Sequence, residues 1–390
     1  MRAVYKICMV SDFFYPNMGG VEEHIYNLSQ CLIGNGHKVS VLQSMEDIDI
    51  VHGHSAFSAL AHEAILIGSL LGLKTVFTDH SLFGFADGSA IITNKFLEIS
   101  LSDCNHCICV SHTGKENTVL RGRIDFNKVS VIPNAVDTYT FTPDISRRSQ
   151  SNVTIVIVSR LVYRKGVDLM AHVISQLCSI YRDVNFLIGG DGPKRWLLEE
   201  IRERQGLQHR VILLEAYCMA IVEAASCGLL VVSTKVGGIP EVLPPDLIYL
   251  TEPTVESLVE GLSRAIQDLK SKNFVCPYEC HQRIQEYYNW STVTVRTEKV
   301  YNKIFNEEQH SLAQKLARCL RTRVWPFLMV ISLCDIILRI LDIVVPRRVW
   351  PFLMVISLCD IILRILDIVV PRKHIDITKG YRCSRKNKQD

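Results

Sequence analysis

The chain has 390 residues, 48% of them hydrophobic, and a formal net charge of +3 from 43 basic and 40 acidic residues. This length can hold two α/β domains of ordinary size, and the nearly balanced charges exclude the strongly basic character typical of nucleic-acid-binding proteins. The 14 cysteines are scattered through apolar segments, which favours reduced, buried thiols in a cytosol-facing protein over a disulfide framework.

The chain begins like a Rossmann unit. Lys6–Val10 (KICMV) predicts a core strand and is too short an apolar run for a signal peptide. A turn with Gly19-Gly20 follows, and apolar spacing over 21–32 predicts an amphipathic helix. Two glycines would let the backbone approach a diphosphate at the helix start, where free N–H groups favour an anion. A plain tight turn would also explain them, so this signal alone is weak.

Between residues 50 and 136, several short apolar runs end in polar residues, as expected where strand ends face a ligand cleft. His54 and His80 both lie at such ends, where a histidine is more often a hydrogen-bonded structural residue than a functional one. Cysteines 104, 107 and 109 form C-x-x-C-x-C within another predicted strand. Since no second cluster completes a zinc site, we predict no metal.

The second half repeats the strand–loop–helix pattern. The β-branched run Val153–Val158 predicts a strand, and Arg160 and Lys165 follow it on the loop before a helix. A Gly-rich turn lies at 189–193, after the next strand. The segment 216–227 is apolar on nearly all sides and predicts a buried helix, in which Glu223 needs a partner such as a ligand hydroxyl. A strand at 229–233 and the turn Gly-Gly-Ile-Pro-Glu (237–241) complete the pattern.

These motifs carry a family resemblance. DFFYPNMGGVEEHIY, TDHSLFGFADG, SRLVYRKGVDL, GGDGPKR and the Glu-x7-Glu segment EAYCMAIVE resemble family-4 retaining glycosyltransferases of GT-B architecture, and within them the phosphatidylinositol N-acetylglucosaminyltransferase catalytic subunits, over roughly residues 5 to 305. The resemblance implies N-acetylglucosamine transfer from UDP-N-acetylglucosamine to phosphatidylinositol, the first step of GPI-anchor biosynthesis. It also implies a multi-subunit complex at the endoplasmic reticulum membrane, with the main domains facing the cytosol and with no metal or other cofactor.

The same resemblance implies roles for individual residues. Glu215 would contact the donor sugar, and His80 would lie close to it; these two are the candidate catalytic residues. Glu223 would hold the uridine ribose, and Arg160 and Lys165 would stabilise the leaving diphosphate. The Gly19-Gly20 loop would close over that diphosphate.

We therefore expect an α/β protein of two Rossmann-like domains, 1–145 and 151–305, with a cleft between them, followed by one or two C-terminal hydrophobic helices. Both domains look incomplete, because the chain passes directly from the second strand to the His-x-His strand and from the strand at 211–214 to Glu215. Membership of the family therefore does not imply that this chain is catalytically active. The alternatives are a catalytically inactive splice form or paralogue, or another family-4 lipid-linked glycosyltransferase.

Residues 323–347 and 348–372 are identical copies of RVWPFLMVISLCDIILRILDIVVPR. Each copy is long enough to span a bilayer, but two aspartates and an arginine on one helix face make spanning costly without a partner. We expect membrane association of 323–372, followed by a basic tail at 373–390. One span, a hairpin of two, an interfacial helix and a buried helix remain alternatives.

Overall fold

The computed structural model describes residues 3–13, 19–41, 48–82, 88–149, 151–214, 220–320 and 332. Strands and helices alternate along most of the chain. In order they are β1 Lys6–Val10, α1 Gly20–Gly34, β2 Lys38–Val41, β3 Ile50–His54, α2 Ala59–Leu70, β4 Lys74–Asp79, α3 Gly88–Leu101, β5 His106–Cys109, α4 His112–Gly122, β6 Val129–Val131, β7 Val153–Val158, α5 Val167–Ile180, β8 Val184–Gly189, α6 Arg195–Arg204, β9 Val211–Leu214, α7 Ala220–Ser226, β10 Val231–Thr234, β11 Ile248–Thr251, α8 Val255–Ser271, α9 Pro277–Tyr287, α10 Trp290–Phe305 and α11 Leu312–Leu320.

The first half forms one parallel sheet of six strands in the order β2-β1-β3-β4-β5-β6. Its central strands are buried on both faces, as expected for a parallel sheet covered by helices. Along β1, Ile7 and Met9 pack into a core with α1 and α10, whereas Cys8 and Val10 face a second core with α2 and α3. This alternation follows from the two-residue period of a strand.

The second half contains two separate parallel sheets, β7-β8-β9 and β10-β11. Helices α5, α6 and α8 contribute to the core on one face of the three-stranded sheet. On that sheet, Val156, Leu187 and Ile212 pair in one row, and Val156 and Ile212 are 48% and 49% exposed. Apolar side chains of that row therefore remain open to water in the described part of the chain.

Helix α10 returns to the first half after the second half is complete. Its residues Val293, Val300 and Tyr301 belong to the core formed by α1 and the first sheet. The Tyr301 hydroxyl lies 2.7 Å from Nδ1 of His52 on β3. The range 151–305, predicted for the second domain, thus includes a helix that packs on the first sheet and ties the two halves together.

The core elements predicted from apolar runs are confirmed, with shifts at their ends. The strands at Lys6–Val10 and Val153–Val158 have the predicted bounds, and the helix predicted at 21–32 extends over Gly20–Gly34. The helix predicted at 216–227 is described from Ala220 to Ser226, and the strand predicted at 229–233 lies at Val231–Thr234.

The predicted membrane segment and the basic tail lie outside the described residues, apart from Ser332. Across the stretches that the structure does describe, none of the helices combines the length and the apolar character needed to cross a bilayer.

Candidate active site

Two adjacent strand ends and one helix bring three histidines together. His54 is the last residue of β3 and His80 follows β4, so their places at one sheet edge follow from parallel pairing. Their Nδ1 and Nε2 atoms, respectively, are 3.4 Å apart. His24 on α1 completes the group, with its ring centroid 4.8 Å from that of His80 and 5.7 Å from that of His54. We call these three residues the histidine cluster.

The histidine cluster is uncharged at neutral pH. Burial lowers the pKa of His24 to about 4, and it lowers the pKa values of His54 and His80 well below the ordinary value. Repulsion between neighbouring imidazoles lowers the last two further. Neutral imidazoles can donate or accept hydrogen bonds and can ligate metals, but they are poor general acids at pH 7.

A buried ion pair fixes the turn that carries His80. Oδ2 of Asp79 accepts hydrogen bonds from Arg121 and from the Thr118 hydroxyl of α4, each at 2.8 Å. Its other oxygen accepts from the backbone N–H of Ser81 at 3.0 Å. The Asp79 and Arg121 side chains are only 1% and 0% exposed. These bonds hold the backbone on both sides of His80, at Asp79 and at Ser81.

In the second half, glycines bring two loops into contact at the ends of β7 and β8. Gly190 has φ +149°, and a Cβ added there would overlap the carbonyl oxygen of Ser159. Gly192 has φ +153°, and its added Cβ would lie 2.5 Å from the Leu161 carbonyl oxygen. Only glycine fits such positions. The predicted Gly-rich turn therefore has a packing role in shaping the loop that follows β7.

Arg160 and Lys165 lie on that loop, as predicted. Both side chains are exposed, and Lys165 ends a short 3-10 turn whose next residue, Gly166, adopts φ +67° and leads into α5. No ion pair or hydrogen bond of these two side chains is seen among the described residues. Two cations held at the start of a helix suit an anionic ligand.

Glu223 is buried on α7, at 6% exposure. Its charge also reaches the first half of the molecule. Partial burial raises the pKa of Glu23, and the negative charges of Glu223 and Asp137 raise it further. Glu23 lies in the first turn of α1, three residues after Gly20. Gly19 and Gly20 are themselves exposed, whereas Glu215 lies outside the described residues.

Glu241 makes a second contact between the halves. Its carboxylate accepts hydrogen bonds from the backbone N–H groups of His112 and Thr113, at 2.5 and 2.8 Å, and from the Thr113 hydroxyl. These amides belong to the first turn of α4, so a residue of the second half caps a helix of the first. The hydrogen bonds lower the pKa of Glu241, outweighing partial burial, which acts in the opposite direction.

Sequence reasoning missed several members of this site. His24, Asp79 and Arg121 received no role, and Glu241 was noted only as part of a turn. The Thr-Asp-His tripeptide could have pointed to Asp79, because it places an acid at the end of a buried strand. A buried carboxylate needs a hydrogen-bond or charge partner. For His24 the available signal was its place on the apolar side of an amphipathic helix, next to Ile25 and Leu28.

Two family models match the chain. Residues 37–87 match the one described as PIGA (GPI anchor biosynthesis), and residues 211–275 match glycosyl transferases group 1. A human protein named as a subunit of phosphatidylinositol N-acetylglucosaminyltransferase is 50% identical, over 80% of this chain and 79% of its own. The protein of the same name from Arabidopsis thaliana is 43% identical, over 87% of this chain and 92% of its own. A protein from Schizosaccharomyces pombe named as the gpi3 subunit of the same transferase is 41% identical, over 79% of this chain and 83% of its own.

Solved glycosyltransferase structures share the fold. A Rickettsia africae glycosyltransferase superposes with a TM-score of 0.61 at 18% identity, over 78% of this chain and all of the other. Anabaena Alr3699/HepE in complex with UDP superposes with a TM-score of 0.61 at 15% identity, over 77% of this chain and all of the other. These matches confirm the GT-B-like arrangement of parallel α/β sheets.

The alignment with the human relative also measures how much shorter this chain is. It runs over 384 positions but takes in 80% of the 390 residues, which is about 312 residues. About 72 aligned positions, the difference between 384 and 312, therefore have no residue in this chain.

Proposed function

Because the chain belongs to the PIGA family of phosphatidylinositol N-acetylglucosaminyltransferase subunits, we propose that it transfers N-acetylglucosamine from UDP-N-acetylglucosamine to phosphatidylinositol. The chain is a glycosyltransferase of GPI-anchor biosynthesis. The donor, the lipid acceptor and the residues that hold them are the parts of this assignment that we propose. Retention of the anomeric configuration is part of the same proposal.

The observation that carries the proposal is the identity of 41–50% with relatives named as phosphatidylinositol N-acetylglucosaminyltransferase subunits, over most of the chain. The glycine-led start of α1 and the buried carboxylate of Glu223 are the proposed nucleotide contacts, one from each half. The halves meet where Glu241 accepts hydrogen bonds from the backbone amides of His112 and Thr113. A helix start with free N–H groups favours a phosphate, and a buried carboxylate accepts hydrogen bonds from ribose hydroxyls. One nucleotide diphosphate would meet both requirements.

In the reaction, the bond between the sugar and the diphosphate breaks and negative charge develops on the leaving group. Arg160 and Lys165 lie beyond the carboxyl end of β7 and would stabilise this charge. Positive charge close to the departing diphosphate lowers the barrier to breaking this bond. The Gly19-Gly20 turn would add backbone N–H groups from the other side of the cleft.

His80 would position the transferred sugar through a hydrogen bond. Its buried imidazole is neutral at pH 7, so we assign it a binding role beside the reacting carbon and no proton donation from an imidazolium. We keep Glu215 as the proposed contact to the donor sugar, on the strength of its place in the Glu-x7-Glu motif.

The cellular setting follows from the same family. We propose that the protein works at the endoplasmic reticulum membrane, with its two halves in the cytosol, and that residues 323–372 associate with the bilayer. Support comes from the apolar composition of both copies of the repeat. Other subunits of the transferase complex are the proposed partners, since the relatives are named as subunits.

An inactive, shortened subunit is the competing assignment. About 72 positions of the human relative find no counterpart here, and the strands of the second half lie in two separate sheets. A protein of this kind would retain ancestry and partner binding without turnover.

The deciding experiment uses membranes from cells that lack the transferase activity. The full chain is expressed there, and transfer of labelled N-acetylglucosamine from its UDP donor to phosphatidylinositol is measured beside a full-length relative. We expect transfer that Lys165→Ala reduces by at least about tenfold, while Lys299→Ala, a change at an exposed lysine of α10, leaves it unchanged. Absence of transfer in an expressed chain, with the relative active, would favour the inactive form.

A further inference from the structure

We propose that His24, His54 and His80 form a binding site for a transition-metal ion of the zinc class. Each of the three offers one ring nitrogen, and these nitrogens all lie within 4.8 Å of one another. Imidazole nitrogen is a preferred ligand of Zn²⁺ and its neighbours in the first transition row. Three protein ligands with an open fourth position are the arrangement of many zinc sites that bind an exchangeable molecule.

The spacing suits one ion. With Zn–N bonds of about 2.0–2.1 Å and tetrahedral angles, two ligating nitrogens lie about 3.3 Å apart. Nδ1 of His54 and Nε2 of His80 are separated by 3.4 Å, so this pair needs almost no adjustment. Side-chain rotation of His24, whose ring is 4.8 Å from that of His80, would bring in the third nitrogen.

The surroundings hold two of the ligands rigidly. Ser55, directly after His54, adopts φ 74°, a conformation that non-glycine residues take only when the structure imposes it. Asp79, directly before His80, is fixed by its pair with Arg121. His52, next to the cluster, is not a ligand because Tyr301 and Thr78 already occupy its two ring nitrogens.

The cluster also contains polar atoms that lack hydrogen bonds within the described structure. They are Nδ1 of His24, Nε2 of His54 and Nδ1 of His80, all buried. Buried polar atoms without partners are rare, and each one indicates a group that the protein itself does not supply. An ion held by Nδ1 of His54 and Nε2 of His80 would leave the unpaired Nε2 of His54 and Nδ1 of His80 on the far sides of their rings, so among these atoms only Nδ1 of His24 could be a ligand.

Metal binding would immobilise His80, and this consequence rests on the proposed function. An ion held by His80 would remove its ring nitrogen from the transferred sugar, so Zn²⁺ would inhibit transfer by competing with the donor. In this scheme Zn²⁺ acts only as an inhibitor, and the transfer reaction itself needs no metal.

The test measures metal binding to the purified full chain in detergent, after treatment with a chelator. We expect equilibrium dialysis to find one bound Zn²⁺ per chain, and added Co²⁺ to give visible bands of a tetrahedral site with nitrogen ligands. His54→Gln should weaken Zn²⁺ binding by more than the roughly 10- to 100-fold typical for loss of an outer hydrogen-bond partner. His62→Gln is the matched control, because His62 is equally buried but bonds Ser100 and the Ala56 carbonyl outside the cluster.

If His54→Gln fails to fold, His24→Asn provides the second variant with the same expected loss. No bound Zn²⁺ in the folded wild type, or equal binding by wild type and His54→Gln, would overturn the site. Bound Zn²⁺ that leaves UDP-sugar affinity unchanged would keep the site and reject the assigned role of His80.

Discussion

Replacing Arg121 with leucine removes the cation that pairs with Asp79 beneath the His80 turn. The guanidinium and carboxylate are 2.8 Å apart and almost fully buried. Leucine preserves much of the apolar contact of the arginine stem while leaving the carboxylate without its cation. The change therefore isolates the electrostatic part of the contact.

The cost can be worked out from the remaining partners. Breaking a buried pair by removing one member usually costs about 3–5 kcal/mol, because an uncompensated charge stays inside. Asp79 would still accept from the Thr118 hydroxyl and the Ser81 backbone N–H, so we expect the lower end, about 3 kcal/mol. That is a large fraction of the roughly 5–15 kcal/mol that stabilises a typical domain.

Arg123→Leu is the matched control. Arg123 lies two residues further along, with its side chain 64% exposed and 3.4 Å from the buried Glu98. Because Glu98 keeps Lys95 at 2.6 Å, losing the solvent-screened Arg123 should cost at most about 1 kcal/mol. Urea unfolding of the full chain in detergent measures both variants. With a slope of about 1–3 kcal/mol per molar urea, Arg121→Leu should lower the midpoint by about 1 M or more. Adding Asp79→Asn should recover part of the loss. Equal shifts for Arg121→Leu and Arg123→Leu would refute the reasoning.

Three further changes test other parts of the site. Gly190→Ala places a methyl group against the Ser159 carbonyl oxygen at φ +149° and should reduce transfer at least about tenfold by moving the cationic loop, as measured in the transferase assay. Glu241→Gln keeps the shape but removes the charge that caps α4, so hydrogen exchange at the Thr113 amide should rise about tenfold, equivalent to about 1.4 kcal/mol. Burial lowers the pKa of His24 to about 4, so below about pH 6.5 this side chain is protonated in the unfolded chain while it stays neutral in the folded chain. The free energy of unfolding therefore has its full value above about pH 6.5. It decreases as the pH falls towards 4, by up to about 3 kcal/mol.

Each of these has a control in the same chain. Gly206→Ala introduces strain at φ +64° with nothing within 4 Å of the new Cβ, so a loss of transfer equal to that of Gly190→Ala would contradict the packing argument. Unchanged exchange at Thr113 in Glu241→Gln would show that charge adds nothing to the cap. If His24→Asn leaves the pH slope of stability unaltered, His24 is not its source.

Strands were the most predictable part of the fold. β1 and β7 are short apolar or β-branched runs, a composition that favours strands by itself, and both were found at the predicted residues. The sequence does not mark where α7 begins, because only Glu215 separates its apolar run from β9 and no capping residue follows. The return of α10 to the first sheet has no local signal, since it depends on packing between Tyr301 and β3.

The candidate site, like the fold, was predictable where local sequence decides the structure and unpredictable where distant residues decide it. Parallel strands bring their ends together, so His54 and His80 could be placed in one cleft from their positions alone. His24 could not, because its burial depends on a neighbouring ring, Trp290, which is distant in sequence. Glu241 bonds amides of α4 more than 120 residues away, and no periodicity reports such a contact.

The exposed row of Val156, Leu187 and Ile212 has a consequence for the life of the protein in a cell. Within the described part of the chain, this row exposes an uncharged apolar strip to water across strands β7, β8 and β9. Apolar dyes, chaperones and proteases recognise such strips, and unmatched strips also promote self-association. A chain that exposes such a strip would be a substrate for cellular quality control, so its abundance would depend on that turnover as well as on its rate of synthesis.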